Sequence, residues 1–257
     1  MSATKALAYV LSTQDYRDTS LLVELYTRDW GKVRGIIRGV RDARARYGST
    51  LEPFSLNEIL FYRRRRGGDL HQVTQVELVD DYTDVREDLE RLSYASYFTE
   101  LLNRLVEPEE ISPETFDLYR DALEFLRDGA SPKRAARLYE LKLLEVLGHL
   151  PELRACVVCR AEPDPAYFNP AFGGVHCRTC AVAGAARVAD GGRGMPVSRR
   201  TLQFLDRALR SDLRGMKTAP AAPEVGPEAE KLLRRFIDFH VDVKLKSLVF
   251  LDKMGFN

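Results

Sequence analysis

The sequence predicts an α+β chain. A small β-barrel occupies residues 1–80, a helical domain occupies 81–257, and a four-cysteine segment at 153–185 interrupts the helices. Three observations carry this reading. Short β-branched and aromatic segments separated by turn signals fill the first eighty residues, and apolar residues recur at three- and four-residue steps thereafter. The pairs Cys156-x-x-Cys159 and Cys177-x-x-Cys180 hold all four cysteines of the chain.

The barrel strands are read at Ala6–Leu11, Ser20–Thr27, Lys32–Val40, Leu56–Arg66 and Leu70–Val79. Arg28-Asp29-Trp30-Gly31 is a turn between the second and third. Gly67-Gly68-Asp69 is a hairpin signal between the fourth and fifth, because glycine accepts the positive φ that tight turns require. Five short strands in about eighty residues have the size of an OB-fold, the barrel that holds oligonucleotides across a curved face. An SH3-like barrel fits the same pattern.

Helices follow. Tyr94, Tyr97, Phe98, Leu101, Leu102 and Leu105 form one amphipathic stripe. Ser112-Pro113 and Ser131-Pro132 each place a capping side chain before a proline at the first helical position. The second of these leads through Leu138, Leu141 and Leu144 to a stop at Gly148. Ser198 opens a further helix. An Ala/Pro-rich stretch between Lys217 and Pro227 reads as a linker, and Pro227 starts one final helix through Leu232, Phe236, Val243 and Leu248.

The two C-x2-C pairs stand seventeen residues apart. Each short knuckle turns two thiolates onto one point, and two knuckles complete a tetrahedral Zn²⁺ site. Four protein ligands leave no position for water or substrate, so the expected role is structural. A redox C-x-x-C belongs at a strand-to-helix turn of a βαβ unit, and no such pattern surrounds either pair. His176 is an alternative ligand beside Cys177.

The formal net charge of +1 conceals a strong asymmetry. Lys32, Arg34, Arg38, Arg41, Arg44 and Arg46 stand against the single acid Asp42, and Arg63, Arg64, Arg65 and Arg66 follow at the fourth strand's end. Asp80, Asp81, Asp84, Glu87, Asp88 and Glu90 then reverse the sign. Two basic patches on one small barrel, with Tyr47 available to stack a base, predict a nucleic-acid face indifferent to sequence and sensitive to salt. The alternative is a solvated surface that blunts edge strands. No run has the apolar length of a membrane span, and Asp15, Arg17, Asp18, Glu24 and Arg28 break up the first thirty residues. The expected location is the cytoplasm, where thiolate ligands stay reduced. No phosphate-binding G-x-x-x-x-G-K-[ST], metalloprotease H-E-x-x-H, esterase G-x-S-x-G or deaminase motif occurs, so no enzyme is expected.

In this order the features resemble the RecO family of bacterial recombination mediators. The N-terminal likeness is Asp15-x-x-Asp18-x-Ser20, Leu25-Tyr26-Thr27, Gly31, Arg38-Gly39-Val40-Arg41 and Leu51-Glu52-Pro53-Phe54. The middle likeness is Tyr139-Glu140-Leu141-Lys142-Leu143-Leu144, Gly148 and Gly173-Gly174 beside the knuckles. The C-terminal likeness is Leu245-Lys246-Ser247 with Phe250-Leu251. One departure is Arg160, where such proteins usually carry glycine after the second cysteine.

The resemblance implies binding of single- and double-stranded DNA and annealing of complementary strands without ATP. It also implies work with RecR, and contact with the acidic C-terminal tail of single-stranded DNA-binding protein so that RecA can load. Lys32 to Arg46 are expected to carry DNA contact, with Arg63 to Arg66 secondary. Arg134 and Arg137 are candidates for the acidic tail, against the alternative of a solvated helix face. A competing reading from another class is a zinc-stapled adaptor, or an RNA-binding regulator without annealing activity.

Overall fold

Strand pairing decides the barrel type. In the computed structural model, which describes residues 3–16, 19–39, 51–62, 70–108, 110–183, 194–213, 215–216, 221–240 and 244–256, five strands close in the order β1-β2-β3-β5-β4, an OB-like topology. They are β1 (Ala3–Tyr16), β2 (Ser20–Thr27), β3 (Gly31–Arg38), β4 (Leu56–Tyr62) and β5 (Leu70–Asp80). Closure comes from a short parallel pairing of Arg34–Ile36 with Leu70–Gln72. The first strand is longer than its apolar stretch predicts because it serves two neighbours. Ala3–Tyr9 pair with β4 and Ala8–Tyr16 with β2, and a register shift between Val10 and Ser12 re-aims the strand between them. Ala6, Ala8, Val23, Val33, Ile59 and Phe61 are among the inward residues that fill the barrel.

Two compact units divide the chain. The first is Met1–Arg127 with Ser247–Phe256, and the second lies within Asp128–Lys246. In the first unit the barrel is joined by α1 (Thr83–Arg86), α2 (Leu89–Leu105), α3 (Pro113–Arg127) and α8 (Lys246–Met254). Tyr9 points out of the barrel into this helical layer. Its ring meets Phe116 and Tyr119 at centroid distances of 5.0 and 4.8 Å, and its hydroxyl bonds that of Tyr82 at 2.9 Å. Pairing the hydroxyls lets both tyrosines be buried without stranded polar atoms, and the Tyr119 hydroxyl is met by that of Thr99 at 2.7 Å. The residue 80 boundary expected from sequence thus falls inside this unit.

The predicted helix starts are present. The Ser112 and Ser198 hydroxyls accept from the N–H groups of Thr115 and Thr201 at 3.1 and 3.2 Å, and Ser131 accepts from Arg134 at 3.5 Å. The final helix differs from expectation: it is two helices, α7 (Val225–His240) and α8 (Lys246–Met254). Pro227 sits inside the first turn of α7, where a missing N–H costs nothing, so it does not mark the start. At α8, the Ser247 N–H and hydroxyl donate to the Glu100 carboxylate at 2.8 and 2.6 Å, and this carboxylate from α2 substitutes for a local cap.

The second unit packs α4 (Pro132–Val146), α6 (Arg199–Arg210) and α7 around Leu138, Leu141, Leu205, Leu232 and Phe236. The cysteine segment adds a three-stranded sheet, β7-β6-β8, built from Gly174–Cys177, Ala166–Asn169 and Met195–Val197. The sequence gives no warning of this sheet. Strands of three or four residues are too short for alternation to register.

Candidate metal centre and charged faces

The two knuckles meet. One Sγ from each of Cys156, Cys159, Cys177 and Cys180 lies within 4.8 Å of the others, and the Cys159 and Cys177 sulfurs are 3.8 Å apart. Tetrahedral thiolates at 2.3 Å from Zn²⁺ would stand about 3.8 Å apart, so the donor set fits a metal of that kind. Cys156 and Cys180 are buried, and Cys159 is exposed. The first knuckle is tied back by Cys156 N–H to Ala161 O at 2.8 Å and Arg160 N–H to Cys156 O at 2.9 Å. The second is carried by the end of β7 and by α5 (Arg178–Val182). Between them, Glu152 and Val157 bond the backbone of Gly173 and Val175 at 2.8 and 2.9 Å. A Cβ on Gly174 would lie 2.4 Å from the Glu152 carbonyl oxygen, so only glycine lets the two arms approach.

The local electrostatics treat the sulfurs unequally. Burial opposes ionisation of Cys156, but backbone N–H groups of Cys159, Cys177 and Val158 outweigh it and bring its thiol down to about 6. Cys180 moves the other way, to about 12, through burial and then through the three neighbouring sulfurs. Four close thiolates repel one another, and a divalent cation at their centre removes that conflict. His176 is fully buried against Tyr167 and is not among the clustered ligands.

Arg160 explains the departure noted in the sequence. Its φ is 63°, in the left-handed region that glycine enters freely and that costs an L-residue about 1–2 kcal/mol. The knuckle's turn is thus kept with arginine against its backbone preference. The guanidinium stands 3.6 Å from Glu152, and the side chain is 73% exposed.

On the barrel, Lys32, Arg34 and Arg38 occupy the outward positions of β3, alternating with buried Val33 and Ile37. They are not equivalent. Lys32 is half-buried, its ammonium donates to the Asn103 carbonyl at 2.6 Å, and burial lowers its pKa. Arg34 and Arg38 are exposed. Glu24 lies opposite Arg34. Burial pushes its carboxyl up, but hydrogen bonds from Asn103 and Ser12 and the charges of Lys32 and Arg34 win, holding it below its usual range. Arg41, Arg44, Arg46, Tyr47 and Arg63 to Arg66 lie outside the described residues.

In the second unit Arg134 and Arg137 line a cavity of about 690 Å³. Arg137 is a wall rather than a free cation: it is buried and paired with Glu140 at 2.7 Å and Glu230 at 3.3 Å. Sequence reasoning missed Lys231 and Arg235, exposed lining residues on α7. They stand four residues apart, the spacing of one helix face, which was the available signal. Phe204 and Val225 supply apolar lining.

The family models described as Recombination protein O N terminal and Recombination protein O C terminal match residues 1–82 and 86–249. A DNA repair protein RecO from Syntrophus aciditrophicus (strain SB) is 32% identical over 253 residues, covering 97% of this chain and 95% of the relative. One from Anaeromyxobacter dehalogenans (strain 2CP-C) is 35% identical over 258 residues, covering 99% and 98%. One from Halalkalibacterium halodurans is 28% identical over 256 residues, covering 98% and 97%.

Proposed function

The chain belongs to the RecO family, and on that premise we propose that it is a DNA repair and homologous-recombination mediator of the RecFOR pathway. It binds single- and double-stranded DNA, anneals complementary strands without ATP, and with RecR helps RecA load onto DNA coated with single-stranded DNA-binding protein. The observation that carries the reading is the match to both family models, in order, over nearly the whole chain. Annealing forms and breaks no covalent bond, so an enzyme's active site is not required. Cations that neutralise phosphates on two strands remove their repulsion, and base pairing supplies the driving force.

Arg34 and Arg38, exposed on β3, contact phosphates in this reading, with Arg41, Arg44, Arg46 and Arg63 to Arg66 as the expected extension of that face. Lys32 has a different part: its bond to Asn103 anchors β3 to α2. Zinc on Cys156, Cys159, Cys177 and Cys180 is structural, and holding the two arms of the segment together is its contribution. The cavity beside α4 takes the acidic tail of single-stranded DNA-binding protein. Arg134, Lys231 and Arg235 meet its carboxylates, and Phe204 and Val225 meet its apolar side chains. No described helix is long and apolar enough to cross a membrane.

The test is strand annealing by fluorescence with complementary oligonucleotides coated with single-stranded DNA-binding protein, in the absence of nucleotide. Acceleration that fades with added salt supports the mediator reading. A folded, zinc-loaded protein that does not accelerate pairing refutes it in favour of the adaptor.

A further inference from the structure

A second basic surface lies at the first knuckle. Arg154 and Arg160, on the two sides of the knuckle, face Arg199 and Arg210 of α6 across a groove of about 520 Å³ that Leu202 and Asp206 also line. We propose that this groove is a phosphate-binding site for a DNA backbone, separate from the barrel face. The inference rests on the DNA-binding reading above and adds a site to it.

Three observations support it. Arg199 and Arg210 stand eleven residues apart on one helix, which is about 16 Å along its axis. That is enough to follow several phosphates of one strand, spaced about 3.4 Å along a duplex. Each guanidinium is held by a carboxylate yet stays open to solvent. Arg199 pairs with Glu162 at 2.7 Å, and Arg154 and Arg210 share Asp206 at 2.5 and 3.0 Å, with the four arginine side chains 60–73% exposed. A guanidinium has five N–H donors, so one such pair fixes its direction and leaves donors for a phosphate.

The third observation is Arg160 itself. Its left-handed backbone is one that glycine would occupy without strain, so an arginine here points to use of its side chain. Among the described residues the lining holds no aromatic ring, which suits backbone contact rather than base stacking.

Arg160→Gly separates the charge from the fold, because the substitution relieves strain and leaves all four cysteines in place. Duplex oligonucleotide binding is measured by fluorescence anisotropy across a salt series, using the full-length zinc-loaded protein. Arg160→Gly is expected to melt no lower than the wild type and to keep its zinc. It should reduce the slope of log K against log[salt] by about 0.9, an affinity loss of about eightfold at 0.1 M salt. Arg160→Gly/Arg199→Gln/Arg210→Gln should lose correspondingly more. Wild-type affinity and slope in both variants would overturn the groove while leaving the DNA reading intact. Failure of the wild type itself to bind duplex would overturn both.

Discussion

Replacing Arg137 by alanine should strongly destabilise the second unit, because the change strands a charge. Arg137 and Glu140 have side-chain exposures of 5% and 0%, and their 2.7 Å contact lies within one helix. Removing the guanidinium leaves the Glu140 carboxylate in the interior without its cation, a class of change that costs about 3–5 kcal/mol. Glu230 suffers less, since it is partly exposed and keeps Arg234 at 3.0 Å. Trp30, the sole tryptophan, belongs to the barrel unit, so its fluorescence does not report directly on this site. Amide hydrogen exchange along α4 does, and protection there should fall by about a hundredfold or more. Arg137→Met combined with Glu140→Leu should cost less than Arg137→Ala alone, because it removes both charges and refills the space. A single-variant cost near that of an exposed ion pair, below about 1 kcal/mol, would refute the claim that Glu140 is desolvated. The same reasoning makes Arg134→Ala, rather than Arg137→Ala, the informative variant for the acidic tail. Isothermal titration with a tail peptide should show weaker binding, and equal affinity would remove Arg134 from that role.

Three further outcomes are expected. Metal analysis should find one zinc per chain, and Cys180→Ser should lose it and lower the melting temperature of the second unit; full retention would deny Cys180 a ligand's role. Burial raises Tyr82 to about 12 and pushes Tyr9 and Tyr119 up as well. A raised folded pKa means that the contribution of Tyr82 is complete below the unfolded value near 10 and is lost as pH rises through about 12, with that of Tyr9 and Tyr119 lost at still higher pH. Tyrosinate absorbance should therefore show these groups ionising with alkaline unfolding, and their free titration near pH 10 would contradict the burial. Gly35→Ala should cost the barrel about 1–3 kcal/mol, because its Cβ would fall 2.6 Å from Val73 Cγ2 and 3.2 Å from Val23 Cγ2. Urea denaturation followed by Trp30 fluorescence would measure this, and an unchanged midpoint would show that β3 and β5 can part without penalty.

Much of the molecule was legible where the physics is local. A serine before a proline defines a helix start from two residues, as at Ser131-Pro132. Alternating apolar residues identify a strand such as β3, and two C-x2-C knuckles announce a tetrahedral donor set whatever surrounds them. Short-range geometry is enough for each of these. The basic character of β3 was equally plain, since charge is a property of composition.

Tertiary structure decided how those residues are used, because burial and pairing depend on segments far apart in the chain. Lys32 and Arg34 are two residues apart on one strand face, yet only packing against α2 turns the first into a bond to Asn103. Arg137 reads as a surface cation until Glu230, ninety-three positions later, closes over it. The closed barrel order needs the β3–β5 pairing, and the basic groove needs α6 to lie along the first knuckle. Arg160 shows the division most plainly: its identity is in the sequence, while its backbone strain and its place in that groove exist only in the fold.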